Sequence, residues 1–107
     1  MTETQLMMQI RDALLATDKL LLWRHNTGKL KDAGGRWVAF GLGVGGADLV
    51  GVLRGSGRFV AWEIKTAAGK LSPEQRAWHY AVTQAGGVVF VARSVDEAML
   101  QLRSLFA

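Results

Sequence analysis

Asp48, Glu63 and Lys65 are the residues of this chain whose types and spacing best suit chemistry. Charged side chains are rarely buried unless they are paired or hold a metal. Yet these three stand at the open end of an apolar hairpin, ADLVGVLRGSGRFVAWEIK over residues 47–65, two runs rich in Val, Leu, Phe and Trp joined through Gly-Ser-Gly. Side chains alternate along a strand, so Glu63 and Lys65 share a face. A hairpin loop with an even number of residues around Ser56 sets Asp48 opposite Glu63 or Lys65 and gathers all three on that face. An odd loop pairs Asp48 with Ile64 and turns the acid away. Two carboxylates beside one ammonium suit a hard divalent cation such as Mg²⁺, held by oxygens at about 2.1 Å. Such a cation polarises a phosphate and acidifies bound water, while a neighbouring lysine steadies developing charge. A salt bridge at a sheet edge is the competing account of the same residues.

The elements that position this trio are legible along the chain. Thr2 with Gln5 forms a capping box ahead of Leu6, Met7, Ile10 and Leu14, predicting a helix over 3–16. Leu20–Trp23 is a short apolar run that leads into a strand or bridges two elements, and RWVAF (36–40) reads as a strand after turn chemistry at 31–35. The 47–54 and 58–65 strands follow. Ser72-Pro73-Glu74-Gln75 is the strongest helix start, with Ser as N-cap, Pro in the first turn and Gln three residues on; the helix runs to about residue 85. VVFVA (88–92) is a continuous apolar strand of the type buried on both faces, and Ser94 with Glu97 opens a last helix over 95 to about 105. The order α-β-β-β-α-β-α predicts an α/β fold, a mixed sheet flanked by helices, with a parallel crossover from 58–65 to 88–92.

Composition narrows the function. The chain of 107 residues fits one domain, 1–107. It has no cysteine, which excludes disulfides and Cys-ligated zinc. The charge of +4 and pI near 10.0 lean toward a polyanion such as nucleic acid. No run approaches the roughly 18 apolar residues of a membrane span, and MTETQLMMQIRD is not a signal peptide, so a cytoplasmic location is expected, in a bacterium or a phage-infected host. GLGVGG (41–46) matches G-x-G-x-x-G, but a strand follows it instead of a helix, so no nucleotide cofactor is expected. The glycines read as a flexible loop or as room for a nucleic-acid backbone beside Asp48. His79 reads as a polar residue on a helix face. His25, in the polar stretch RHNTG (24–28), is a candidate for substrate contact together with Asn26. Lys29, Lys31 and Arg36 flank a turn able to grip a phosphate backbone, and Lys70 and Arg76 lie at the start of the helix opened by Ser72, a place suited to phosphate.

The wider pattern carries a resemblance. Asp48, fourteen residues, then Glu63-x-Lys65 resembles the D…E-x-K site of the PD-(D/E)XK nuclease superfamily. The surrounding text (a Glu on the first helix, R-x-N-x-G, FG…GG-x-DL-x-G, EIKT-x-x-G-x-LSPEQ-x-x-W, AGGVVFVARS) is similar to the VRR-NUC family of virus-type replication and repair nucleases, in its compact stand-alone form, over nearly the whole chain. That resemblance implies a restriction-endonuclease-like sheet, Asp48 and Glu63 as metal-binding carboxylates, the main-chain carbonyl of Ile64 as a further ligand and Lys65 as the catalytic lysine. It implies Glu3 near the metal through water and Gln75 as a supporting residue. The proline that often precedes the motif aspartate is Ala47 here, which metal ligation does not require. The implied activity is a Mg²⁺- or Mn²⁺-dependent endonuclease selective for DNA structure, such as four-way junctions. Flap or linear duplex cleavage is the alternative, and a non-catalytic nucleic-acid-binding module the remoter one. Small relatives look like homodimers, which would bring two sites to opposing strands; Trp23, Trp37, Phe40 and Phe106 permit such an interface.

Overall fold

The computed structural model describes residues 1–106. Helix α1 spans Glu3–Ala16, and both halves of its capping box form: Gln5 N–H donates to Thr2 Oγ1 at 3.1 Å and Thr2 N–H to Gln5 Oε1 at 2.8 Å. Its stripe Leu6, Met7, Ile10 and Leu14 is buried. Strands β1 (Leu20–Arg24), β4 (Leu49–Leu53), β5 (Phe59–Ile64) and β6 (Val88–Ala92) build one mixed sheet in the order β1-β4-β5-β6; β2 (Gly28–Lys31) and β3 (Trp37–Phe40) pair only with each other. Neighbours are antiparallel except β5 and β6, which are parallel and joined through α2 (Pro73–Gln84). Helix α3 (Val95–Arg103) closes the chain.

The α/β class is as the sequence predicts, with two strands more than its order contains. Leu20–Arg24 is a full edge strand, Leu20 and Leu22 inward and Leu21 and Trp23 outward. Gly28–Lys31 carries glycine and two lysines, which are poor strand formers; its structure comes from pairing with β3.

Alternation divides the sheet into two unequal faces. Toward α1 and α3 lies the main core: Leu20, Leu22, Leu49, Leu53, Val60, Trp62 and Ile64 against Ile10, Leu14, Ala98 and Leu102. Trp62 is fully buried, and its indole N–H donates to Gln101 Oε1 at 3.1 Å. Toward α2 the core is thin, Ala47, Val50 and Ala61 under Phe59, Trp78 and Val89. No residue of α2 is fully buried. This corrects the expectation for β6: Val88–Val91 are only half-buried, because β6 is an edge strand.

The hairpin loop is even-numbered, though longer than a two-residue turn. Leu53 N–H donates to Arg58 O at 2.9 Å and Gly57 N–H to Leu53 O at 3.0 Å, leaving four residues, 54–57, at the tip. The register Leu49↔Trp62 extended by one step sets Asp48 opposite Glu63. Beyond β6, Ser94 Oγ caps Glu97 N–H at 3.1 Å, while Glu97 Oε1 reaches the Arg93 N–H at 2.7 Å, one residue short of a full capping box.

Candidate active site

Asp48 precedes β4, Glu63 is the last but one residue of β5, and Lys65 follows that strand. The Asp48 carboxylate is pinned by Ile64 N–H, which donates to Oδ2 at 2.8 Å. Lys65 is tied to β6 by its N–H, which donates to Ala92 O at 3.1 Å. Glu63 is only 2 % exposed, the one charged residue buried among the described residues. Burial first, then a hydrogen bond to Asp48 and the Asp48 charge, push its carboxyl from an ordinary 4.5 up to about 8; Lys65 pulls the other way and Glu3 adds to the rise. The Glu63 carboxyl therefore keeps its proton at neutral pH when no cation sits beside it.

His79 joins this cluster, which the reading as a plain helix-face residue missed. Its Nε2 lies 3.4 Å from Glu63 Oε1, and its side chain is 13 % exposed. Burial, helped by the Lys65 charge, lowers its pKa from 6.5. Both partners are thus neutral at pH 7, and the contact is a long hydrogen bond between uncharged groups. A signal existed: His79 stands four residues after Gln75 and so on the same helical stripe. Gln75 itself completes the α2 capping box, its Oε1 accepting from Ser72 N–H at 2.9 Å while its own N–H donates to Ser72 Oγ at 3.1 Å.

Glu3 and Asp48 line a cleft of about 70 Å³ together with Arg24, His25 and Asn26. Arg24 was not singled out from the sequence, although it is the Arg of R-x-N-x-G; it ends β1 and brings a cation to the cleft that Glu3 and Asp48 line. His25 is present but engaged: its Nδ1 is 2.9 Å from Ala47 O, and Leu42 N–H donates to its Nε2 at 2.8 Å. Lys29, Lys31 and Arg36 belong to the separate β2–β3 hairpin and do not line this cleft. Lys31 Nζ sits 5.2 Å from the Trp37 ring centroid, and Arg36 Nε pairs with Asp32 Oδ2 at 3.2 Å. Lys70 is exposed ahead of α2, and Arg76 folds back to donate to Leu71 O at 3.2 Å.

The glycine loop is neither slack nor open. Trp78 Nε1–H donates to Leu42 O at 2.9 Å, and a side chain on Gly46 would strike the His25 ring. Gly45 has φ +84 and backs directly onto the Glu74 carbonyl. Gly45→Ala combines left-handed strain with a backbone clash, so it should cost about 2–4 kcal/mol and lower the melting temperature sharply. Gly55→Ala, at φ +91 with nothing within 4 Å, carries only the strain and should cost about 1 kcal/mol. Equal melting temperatures for the two variants would show that the loop is not packed on α2.

Among the described residues no three His, Cys, Asp or Glu side chains gather closely enough to cage a metal alone. A cation here would rest on Asp48, Glu63, a main-chain oxygen and water, a donor set suited to hard divalent ions. Two acids brought together, one buried and driven to hold a proton, fit that group. The VRR-NUC domain family matches residues 1–96 of the 107, and the chain belongs to that family of virus-type replication-repair nucleases. As a nuclease it hydrolyses DNA, and nucleases of the PD-(D/E)XK type generally use divalent metals. No curated protein and no solved structure matches the chain. No helix among the described residues is long and apolar enough to cross a membrane.

Proposed function

We propose that this chain is one nuclease domain, an endonuclease that uses Mg²⁺ or Mn²⁺ to cut branched DNA such as four-way junctions. The observation that carries the reading is the buried Glu63 carboxyl held against Asp48, with the Lys65 charge acting on the same group. Asp48, Glu63 and the Ile64 carbonyl would hold the cation, and Glu3 would reach it through water. When bound, the cation supplies Lewis acidity toward a phosphoryl oxygen and lowers the pKa of its water. The chain's own residues do the rest. The Ile64 N–H keeps Asp48 aimed at Glu63. Lys65 donates to the attacking water and to the oxygen on which charge builds. Arg24, Asn26 and Lys70 with Arg76 at the start of α2 take phosphates on either side, and the Lys29–Arg36 hairpin grips the backbone further out. His25 is bound into the fold, so its role lies elsewhere.

A homodimer would bring two such sites to opposing strands of a junction. The outward side chains Leu21 and Trp23 on edge strand β1 and Trp37 and Phe40 on β3 support it, because monomers rarely leave such surfaces bare. Phe106 packs instead against the main core beneath Lys19, whose Nζ is 4.8 Å from its ring centroid. The site would work in the cytoplasm of a bacterium or phage-infected cell.

Labelled linear, flap, splayed and four-way DNAs, each incubated with Mg²⁺, Mn²⁺ or a chelator, test the substrate. Metal-dependent cleavage of the four-way DNA ahead of the rest is expected; preference for flaps or linear ends would replace that substrate, and binding with no cleavage would leave a non-catalytic module. Lys65→Ala should slow cleavage by about 10²–10³-fold while Mn²⁺ still binds. Loss of Mn²⁺ binding in that variant would make Lys65 a structural residue.

A further inference from the structure

We infer that His25 is the positioning residue that seats Asp48, resting on the reading of Asp48 as a metal ligand. The residue grasps two successive carbonyls. Its main-chain N–H donates to Asp48 O at 2.8 Å, and its ring Nδ1 meets Ala47 O at 2.9 Å. Those carbonyls belong to the peptide planes on either side of the Asp48 Cα, so one histidine fixes both backbone dihedrals of the acid. Ile64 N–H then fixes its carboxylate. The ring proton follows from the network: Leu42 N–H donates to Nε2 at 2.8 Å, so Nε2 is the bare acceptor and Nδ1 carries the hydrogen given to Ala47.

The same ring extends the hold across the glycine loop. Leu42 is bonded on both sides, through its N–H to His25 and through its carbonyl to the Trp78 indole N–H at 2.9 Å. The His25 and Trp78 rings lie near parallel, 20° apart at a centroid distance of 6.5 Å. Gly46 leaves the space the imidazole needs. The chain of contacts therefore runs from Trp78 on α2, through Leu42 and His25, to the backbone of Asp48. Residues that orient a metal ligand in this way change metal affinity or activity by about 10–100-fold when removed.

Two conservative substitutions divide the ring's bonds. His25→Asn places an amide N–H near the Nδ1 position and keeps the bond to Ala47, but lacks the acceptor for Leu42. His25→Gln reaches Leu42 with its amide oxygen and releases Ala47. Mn²⁺ affinity is measured by calorimetry, steady-state kinetics on a four-way DNA give kcat and KM, and amide exchange is followed in metal-free protein. His25→Gln and His25→Ala should bind Mn²⁺ about 10–100-fold more weakly and lose kcat at unchanged KM. Their Ile64 amide should exchange faster while the Lys65 amide, bonded to Ala92, stays protected. His25→Asn should keep Mn²⁺ affinity and Ile64 protection and speed exchange only at Leu42. Wild-type Mn²⁺ affinity and Ile64 protection in His25→Gln would overturn the inference, as would equal losses in Gln and Asn variants. Should the unsubstituted protein neither bind Mn²⁺ nor cut DNA, the nuclease reading fails, and the exchange pattern still decides whether His25 seats Asp48.

Discussion

Asp48→Ala should abolish metal-dependent cleavage, a loss of about a thousandfold or more, with the fold intact. The Lewis-acid contribution of a bound divalent ion is several kcal/mol, and each 1.4 kcal/mol is roughly tenfold in rate. Without Asp48 the donor set falls to one buried carboxyl and a main-chain oxygen, too little to hold the ion. Two effects on stability oppose each other. Ile64 N–H loses its acceptor, which costs about 1–3 kcal/mol for a buried donor. Glu63 is freed from a neighbouring acid that raises its pKa, which restores stability near neutral pH. The melting temperature should therefore move little, and Asp48→Asn, which keeps an acceptor for Ile64, should move it less. DNA binding without metal should persist or tighten, since one negative charge is gone. Cleavage by Asp48→Ala at the wild-type rate would remove Asp48 from the metal site.

The metal-free protein should lose stability as pH rises from about 4.5 to about 8. Glu63 in the folded state keeps its proton up to about 8, whereas the unfolded chain releases it near 4.5. Between those values the unfolded state binds fewer protons, so raising pH favours unfolding; above 8 both states are ionised and the fall ends. His79 acts in the opposite sense lower down: its folded pKa lies below 6.5, so stability gains as pH climbs toward 6.5. From pH 6.5 to 8 Glu63 acts without that offset, and the loss should amount to about 2 kcal/mol. Urea unfolding with a chelator at pH 6.5, 7.2 and 8.0 measures it. Glu63→Gln should flatten the slope, and Mn²⁺ should restore stability at pH 8 to the unsubstituted protein alone. A slope that survives in Glu63→Gln would mean that some other group titrates.

How much of this was legible in sequence depended on whether the cause was local. Thr2–Gln5 and Ser72–Gln75 are complete within four residues, and both helices begin where those pairs place them. The gathering of Asp48 and Glu63 needed only the parity of the hairpin loop, so a loop of four residues serves as well as one of two. What escaped depended on distant partners. Gly28–Lys31 is a strand because Trp37–Phe40 lies beside it. His25 finds its ring partners 17 and 22 residues away, on a loop whose path no local pattern discloses. His79 meets Glu63 only because of how α2 lies across β5, a matter of packing that spacing along one helix cannot settle. The half-burial of β6 likewise follows from its place at the edge.

The unequal faces of the sheet give the two walls of the site different mechanical characters. Glu63 and Ile64 on β5, and Asp48 just ahead of β4, are backed by the main core, whereas His79 and Trp78 ride on a helix with no fully buried residue. Segments with few buried apolar contacts open at free energies well below that of global unfolding. Helix α2 can thus fray or lift without unseating the acids, since the bonds of His25 to Ala47 and Asp48 and of Ile64 to Asp48 join the ends of β1, β4 and β5 and involve no residue of α2. A bulky substrate would meet one stiff wall that keeps its geometry and one compliant wall that yields to admit it.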